Sequence, residues 1–493
     1  MNVFLMYRAK DFDVKQPLPS NQYELVQDLE LDTLLNIMAR DDKYLFDTAR
    51  QVLLSSLQDV DEIRYRQDVL KDCLNFPSVI REIYNIPIES ITSKHRHWLG
   101  IFTRYPSGIL SGAIEMLDMF VELLKKLKRI ADENIAQFES EGFKRFFAMI
   151  QRELTDEYFL EVETHLKRLR FKRGTLISAD LGMGNEGTNY LLRKPNHEDL
   201  NWFQRAFTKT SPVYSFTLHP RDDHGARALG ELRDKGIRLV ANALGQSADH
   251  IDNFLNTLRQ ELAFYIGCLN LQEELEKYGE PVCIPDVFPA NERKHSFVGL
   301  YDISLALTMK RKVIGNVINA DEKDLVVITG ANQGGKSTFL RSIGVAQLMT
   351  QCGMFAPAKS FSANIARGVF THYKREEDST MQSGKFDEEL SRMSEIVDTI
   401  TPDSLILFNE SFAATNEREG SEIASQIVRA LLEKRIKVFY VTHLYQLARG
   451  FYEKSEDNAI FLRAERQRSF KLVEGEPLQT SFGADLYEKI FNS

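Results

Sequence analysis

Residues 330–338 form a glycine-rich segment whose composition suits phosphate binding. The segment reads GANQGGKST and fits the pattern GxxxxGK[ST]. Its glycines let backbone N–H groups turn toward phosphate oxygens, its lysine supplies a positive charge, and its hydroxyl can bind Mg²⁺ at the start of a helix. We therefore predict that ATP, with Mg²⁺ as cofactor, is bound by Gly330, Ala331, Asn332, Gln333, Gly334, Gly335, Lys336, Ser337 and Thr338.

Two later segments end in groups that could complete a hydrolytic site. LILFNE ends in Glu410 and KVFYVTH ends in His443. Apolar runs of this kind predict buried parallel strands, whose carboxyl ends are where α/β proteins place their ligands. Glu410 could polarise a water for attack on the γ-phosphate, and His443 could hydrogen-bond that phosphate. A lone histidine is usually structural, but its position at a strand end favours a catalytic role.

The residue before Glu410 is unusual for a nucleotide hydrolase. Strands of this type normally place a magnesium-binding aspartate there, and this chain has Asn409. An amide oxygen can still approach the ion, but it adds no negative charge. We predict Ser337 and Asn409 as the metal-binding residues, and a slow rather than inactive ATPase because Glu410 is retained.

The elements that must position these residues change in character along the chain. DLVVIT, residues 324–329, predicts the buried strand before the glycine-rich segment, so the later part of the chain has an α/β pattern. The earlier part is helical, with one heptad seam over residues 110–127 and another over 251–269, the second opened by Ser247 as a predicted N-cap. Two such helices usually pack together, either as ordinary core helices or as a lever that carries motion between distant sites.

A short basic region lies between the two seams. Residues 175–181 and 188–194 flank GMGNEG and predict a β-hairpin. Seven Lys or Arg and only two acids fall within residues 166–195, so this region is our candidate for contacts with DNA phosphates. A solvated basic face that binds nothing is the alternative. We call these residues the basic set: Lys167, Arg168, Arg170, Lys172, Arg173, Arg193 and Lys194.

Composition limits the class of protein. The chain has 493 residues, is 43% hydrophobic and 27% charged, and carries a net charge of −9. No apolar run approaches the roughly 18 residues of a membrane span, and no signal peptide is evident, so we expect a cytoplasmic protein. The net negative charge argues against unselective nucleic-acid binding, although a local basic patch could still bind DNA.

With these motifs in this order, residues 280–493 resemble the ATPase domain of the MutS family of DNA mismatch-repair proteins. TGANQGGKSTFLRSIG and the strands ending in Glu410 and His443 carry the likeness; upstream, LELDTLLNIM and residues 61–83 resemble the helical core of that family. The resemblance implies an α+β multidomain fold. A helical core and lever domain over 1–279, with a β insert near 166–240, would precede a P-loop α/β ATPase domain of MutS/ABC type over 280–493.

The resemblance also implies how the site works in a dimer. Asn332 would orient the γ-phosphate, and Asn416 would approach the nucleotide of the second subunit. ATP would lie between the ATPase domains of a homodimer, and the long helices would carry the dimer's shape to DNA. Such a protein could also bind a repair or recombination protein.

The chain departs from the family's pattern in several places. The Gly-x-Phe-x-Glu motif that reads mismatches has no counterpart before the core, and Val313 falls near the place of the aromatic residue that stacks on adenine. Ser383-Gly384-Lys385-Phe386 stands where the family has Ser-Thr-Phe. We therefore expect a truncated MutS-like protein that lacks the mismatch-recognition domain and binds branched or deformed DNA through backbone contacts. The alternative is a nucleotide-gated scaffold that binds ATP, hardly hydrolyses it, and holds a protein partner.

Overall fold

The structure is a computed structural model. It describes residues 1–97, 105–172, 174–194, 214–330, 334–375, 384–454, 458–465 and 469–478. The chain divides into two compact units, each discontinuous in sequence. The helical unit comprises residues 1–3, 82–137 and 145–259, and the sheet unit comprises 4–81, 138–144 and 260–493. The predicted domain limits, 1–279 and 280–493, stay a prediction.

Fourteen α-helices and twelve strands lie within the described residues. The helices are α1 (Gln22–Asp28), α2 (Leu31–Ala39), α3 (Lys43–Leu54), α4 (Val60–Asn75), α5 (Pro77–His97), α6 (Pro106–Asn134), α7 (Glu141–Glu153), α8 (Asp156–Leu169), α9 (Asp223–Lys277), α10 (Ile303–Met309), α11 (Lys336–Gln351), α12 (Lys385–Thr399), α13 (Glu417–Glu433) and α14 (Tyr445–Glu453). The strands are β1 (Leu176–Leu181), β2 (Gly187–Arg193), β3 (Asp286–Phe288), β4 (His295–Leu300), β5 (Asn316–Asn319), β6 (Leu325–Gly330), β7 (Ser360–Asn364), β8 (Val369–Tyr373), β9 (Leu405–Asn409), β10 (Lys437–Val441), β11 (Ala459–Ala464) and β12 (Leu472–Glu474). The expected mixture of helices and sheets is confirmed.

The first heptad seam lies on α6, as predicted. The proline at its first position suits a helix start, because the missing N–H would have no partner there. α8 packs beside α6, and the Lys125 ammonium lies 2.6 Å from the Glu163 carboxylate. The seam is buried at every predicted position: Leu110, Ala113, Leu117, Phe120, Leu124 and Leu127.

The second seam is also buried, but its helix begins far earlier than predicted. Ser247 is not an N-cap: it lies inside α9, where its hydroxyl donates to the carbonyl of Ala243 at 2.9 Å. Serine in a helix interior commonly makes this bond to the preceding turn. The helix starts near Asp222 instead, whose carboxylate accepts the Gly225 amide at 2.8 Å. The last part of the predicted β insert, residues 223–240, is therefore helical.

The predicted hairpin is confirmed within the helical unit. β1 and β2 pair antiparallel with Leu176 opposite Arg193, and the Gly182 amide closes the turn on the Glu186 carbonyl at 2.8 Å. The Ile177 side chain packs on α9 at Gly236, where a Cβ would lie 2.4 Å from its terminal carbon. Both faces of the two strands are largely exposed, so the hairpin depends on this contact and on the Lys235 ammonium of α9, which lies 5.5 Å from the centre of the Tyr190 ring.

The sheet unit contains a six-stranded sheet in the order β12-β11-β6-β10-β9-β8 within the described residues. β6, β9 and β10 are the three strands predicted from apolar runs, and each is buried almost throughout because helices cover a parallel sheet on both faces. We expected β9 to lie beside the glycine-rich segment, and the end of β9 does meet the helix that follows this segment, although β6 and β9 are not neighbouring strands. β10 lies between them, pairing with both.

A second sheet and the N-terminal segment complete the sheet unit. The second sheet has the order β3-β7-β4-β5 within the described residues. The N-terminal segment is tied to α9 by Glu261, whose fully buried carboxylate accepts the amides of Leu5, Met6 and Phe12. The C-terminal part of α9 is thereby fixed within this unit.

Candidate nucleotide site

Three parallel strands bring the predicted residues to one edge of the six-stranded sheet. β10 pairs in register with β6 and with β9, so that Val441 lies opposite both Ile328 and Asn409. The glycine-rich segment, Glu410 and His443 follow directly from these three strand ends. This edge is where a parallel sheet offers a crevice for ligands.

Two glycines of the glycine-rich segment hold conformations that a side chain would disturb. Gly330 has φ +118°, and a Cβ on it would lie 2.8 Å from the Ala464 amide nitrogen. Gly335 has φ +85° and precedes the first residue of α11. Lys336, Ser337 and Thr338 then form the first turn of that helix, and Gly334 is buried ahead of it. Ala331, Asn332 and Gln333 lie outside the described residues.

Lys336 is almost completely removed from solvent. Its side chain is 5% exposed, and its ammonium donates to the Gly330 carbonyl at 3.0 Å. Burial disfavours the charged form and lowers the pKa of Lys336 to about 8, while the Glu410 carboxylate acts in the opposite direction. An anion placed against this ammonium would replace the hydration that the lysine has lost.

Ser337 and Asn409 form a pair of oxygen donors. The Ser337 hydroxyl donates to the Asn409 side-chain carbonyl at 2.9 Å, which joins the start of α11 to the end of β9. Hard oxygen ligands, few from the protein and the rest from water and phosphate, are the set that Mg²⁺ takes. In the described part of the chain no group of three His, Cys, Asp or Glu forms a metal cluster. The predicted pair therefore fits Mg²⁺ chemically, without an anionic ligand from the protein.

Glu410 and His443 meet at the same edge. The His443 Nε2 lies 2.9 Å from a Glu410 carboxylate oxygen, and this hydrogen bond is the main reason that the pKa of Glu410 falls below its usual value. Glu410 is therefore ionised at neutral pH and able to accept a proton. Its backbone has φ +55°, and its amide donates to the Val441 carbonyl at 2.9 Å.

Two side chains near this edge were not predicted as site residues. Carbon atoms of Phe470 lie 3.5–3.8 Å from where a Cβ on Gly335 would be, and the phenylalanine is 48% exposed. It offers an aromatic surface beside the glycine-rich segment, whereas the Val313 amide donates to the Glu280 carboxylate. Lys374 follows β8, and its amide donates to the Asn409 backbone carbonyl at 2.9 Å. Neither residue belongs to a local motif, so no sequence signal marked them.

Asn416 serves as the N-cap of α13. Its side-chain oxygen accepts the Glu419 amide at 3.0 Å, and its side-chain nitrogen donates to the Glu419 carboxylate at 3.0 Å. This local role explains a polar residue here without a second subunit. Its approach to a partner's nucleotide stays a prediction, and Ser383 lies outside the described residues.

The basic set lies on α8, on the hairpin and between them. Arg170 forms an ion pair with Asp118, Lys167 lies 3.7 Å from the Glu163 carboxylate, and Arg193 donates to the Ser178 hydroxyl at 2.8 Å. Arg173 is outside the described residues. Part of the positive charge is therefore neutralised locally, which reduces the charge available to a phosphate backbone.

The fold and site together define a mixed α/β protein with a glycine-rich candidate nucleotide site at the carboxyl edge of a parallel sheet. The MutS2 N-terminal domain profile matches residues 58–278, and the MutS domain V profile matches residues 326–485. The chain belongs to the MutS family, which confirms the resemblance carried by its motifs. No helix in the described ranges has both the length and the apolar character needed to cross a membrane.

Individual relatives match only part of each protein. Human MutS protein homolog 4 is 30% identical over 253 residues, covering 49% of this chain and 26% of that protein. DNA mismatch repair protein MutS of Thermotoga neapolitana is 32% identical over 170 residues, covering 34% of this chain and 21% of the relative. The corresponding protein of Leptospira interrogans is 33% identical over 159 residues, which cover 30% of this chain and 19% of that relative. The matches thus span about a quarter or a fifth of these relatives.

Proposed function

We propose that this chain binds ATP with Mg²⁺ and hydrolyses it slowly. The observation that carries the proposal is the convergence of three elements at one sheet edge: the buried Lys336 ammonium, the Ser337–Asn409 oxygen pair and the Glu410–His443 pair. Each supplies one of the groups that phosphoryl transfer requires: a cation for the phosphates, a place for the metal and a carboxylate that orients the nucleophile.

Each of these residues has a separate role in hydrolysis. Lys336 and the amides of the glycine-rich segment bind and orient the phosphates. Mg²⁺, held through Ser337, Asn409 and water, would neutralise part of the phosphate charge. Glu410 accepts a hydrogen bond from the attacking water, and His443 holds that carboxylate in place. Turnover is slow because Asn409 lacks the charge that an aspartate would contribute beside the metal.

Two substitutions test the enzymatic part of the proposal. Lys336→Ala should abolish tight ATP binding, and Glu410→Gln should retain binding while lowering phosphate release at least 100-fold, in the range expected for loss of a general base. Lys434→Ala is the matched control, since this exposed lysine precedes β10 at the opposite edge of the sheet. ATP binding that survives in Lys336→Ala, or turnover that survives in Glu410→Gln, would refute the assignment.

We further propose that ATP stabilises a homodimer which binds branched or deformed DNA. The basic set can contact phosphates without an evident base reader, and an isolated site of this kind leaves one face of the nucleotide open to a second copy. Ultracentrifugation should show a larger species for Glu410→Gln with ATP than with ADP. Equal masses in the two states would contradict nucleotide-dependent pairing.

A nucleotide-gated protein scaffold is the second candidate function. The ion pairs of Arg170 and Lys167 favour it, because they reduce the charge left for DNA. Titrating labelled duplex and branched DNA at several salt concentrations separates the two candidates. DNA binding should weaken steeply as salt rises. Absence of salt-sensitive binding to either DNA would favour the scaffold.

A further inference from the structure

Ser411, the residue after Glu410, is held from two sides by buried groups. It is fully buried, and its carbonyl accepts the Tyr440 hydroxyl at 2.8 Å. Its own hydroxyl lies 2.7 Å from Nδ1 of His372, a buried residue of β8. Because these bonds fix Ser411, they also restrict where the neighbouring Glu410 carboxylate can lie.

The hydrogen bonds of His372 define its tautomer. Nε2 lies 2.9 Å from the Glu389 backbone carbonyl, which can only accept, so Nε2 carries the proton. Burial lowers the pKa of His372 to about 4, so the ring is neutral at physiological pH and Nδ1 must be the acceptor. The single Ser411 hydroxyl proton is therefore shared between two acceptors of His372, the ring Nδ1 at 2.7 Å and the backbone carbonyl at 2.5 Å. The ring thus bridges Ser411 and helix α12.

The turn that carries Glu410 needs this support. Glu410 and Phe412 have φ of +55° and +62°, a region that residues with side chains seldom occupy. The His372 ring stacks on Phe412 with centroids 5.2 Å apart and contacts Phe408 at 5.7 Å. The histidine therefore contacts residues on both sides of Glu410.

Helix α12 makes a second connection to the same turn. Its Glu389 is buried, and the Phe412 backbone amide near the Glu389 carboxylate opposes the rise in the pKa of that carboxylate that burial causes. One residue of α12 thus reaches the turn by two routes, because its backbone carbonyl bonds the His372 ring and its carboxylate lies near Phe412. A shift of α12 would therefore displace Ser411 and Phe412 together.

We propose that His372 is a positioning residue, which holds the Glu410 carboxylate through Ser411 and joins it to α12 through Glu389. The proposal rests on the ATPase function proposed above. His372 touches neither nucleotide nor water in this role. Its removal should lower kcat while leaving the KM for ATP and the binding of ATP unchanged.

Three substitutions at His372 separate the two bonds of its ring. Asparagine can place an acceptor near the position of Nδ1, glutamine can place a donor near that of Nε2, and phenylalanine keeps only the ring. We expect His372→Asn to stay within about threefold of the wild-type kcat, and His372→Gln and His372→Phe to lose about 10- to 100-fold, as misplacement of a catalytic group does. Ser411→Ala should cause the same loss, with no further loss in the Ser411→Ala, His372→Phe double variant.

A matched control distinguishes positioning from general destabilisation. His295 is another buried histidine, on β4, packed edge-on against Phe297 and Phe361. His295→Phe should lower the melting temperature without changing kcat. If folded His372→Phe and Ser411→Ala retain the wild-type kcat, or if His295→Phe lowers kcat equally, the positioning role is overturned. If the wild type itself shows no Glu410-dependent hydrolysis, the proposed function fails first and this role fails with it.

Discussion

The buried lysine of the glycine-rich segment makes ATP binding dependent on pH. Free protein holds Lys336 with a pKa of about 8 because burial disfavours the ammonium. Bound ATP places phosphate oxygens against that ammonium and raises its pKa again. Above pH 8 the free protein has lost the proton that the complex needs. ATP binding must then be accompanied by proton uptake.

The size of the effect follows from the position of this pKa. Each pH unit above 8 should weaken apparent ATP affinity about tenfold, or about 1.4 kcal/mol, until the pKa of the complex is reached. The free energy of unfolding changes in the opposite direction: it rises with pH, whereas ATP affinity falls. Between pH 8 and the usual lysine value of 10.5, the unfolded chain binds more protons than the folded one, so the contribution of Lys336 to stability rises with pH.

The assay is ATP affinity by calorimetry from pH 6.5 to 9.5 at constant Mg²⁺, in buffers of different ionisation enthalpy. We expect nearly constant affinity below pH 7.5, a decline above pH 8 and uptake of about one proton at pH 9. Lys336→Arg is the control, because its guanidinium stays charged throughout and should remove the decline. Wild-type affinity that is flat to pH 9.5, or proton uptake that persists in Lys336→Arg, would refute the reasoning.

Three further predictions concern the remaining parts of the site and the basic set. Asn409→Asp should lower the Mg²⁺ concentration needed for half-maximal ATPase rate and leave hydrolysis equal or faster; a higher Mg²⁺ requirement would contradict the proposed metal pair. Replacing the basic set by glutamine should weaken DNA binding and reduce the salt slope by about 0.9 per lost phosphate contact, with ATP affinity unchanged. Phe470→Ala should weaken ATP binding more than binding of inorganic triphosphate, because only ATP has a base to stack; equal effects would exclude stacking.

The parts of the fold that sequence predicted are those set by local periodicity. β6, β9 and β10 were predictable because strands buried on both faces are apolar almost without interruption. The first seam on α6 was predictable because its buried positions recur at heptad spacing. The start of α9 was not, since its first turns are exposed and Ser247 resembles an N-cap until its bond to Ala243 is seen.

Contacts between distant segments could be predicted from the sequence only where both partners occupy motif positions. The pairing of Ser337 with Asn409 could be expected once a nucleotide site was assumed, because both occupy motif positions. His372 and Phe470 belong to no motif, and their positions depend on strand order and on how later segments return to the sheet. The insertion of β10 between β6 and β9 shows the same limit, since apolar runs define strands but not their neighbours.

The neutral residue at position 409 also bears on the lysine's low pKa. The Glu410 carboxylate already favours the charged form of Lys336. Asn409 lies next to Glu410, and its side chain accepts a hydrogen bond from Ser337, the residue after Lys336. A carboxylate at 409 would add a second charge of the same sign. Asn409→Asp should therefore raise the pKa of Lys336 by on the order of one unit and move the decline in ATP affinity upward by the same amount. The calorimetric titration above measures this shift. A decline that still begins at pH 8 in Asn409→Asp would show that a charge at position 409 does not act on the Lys336 ammonium.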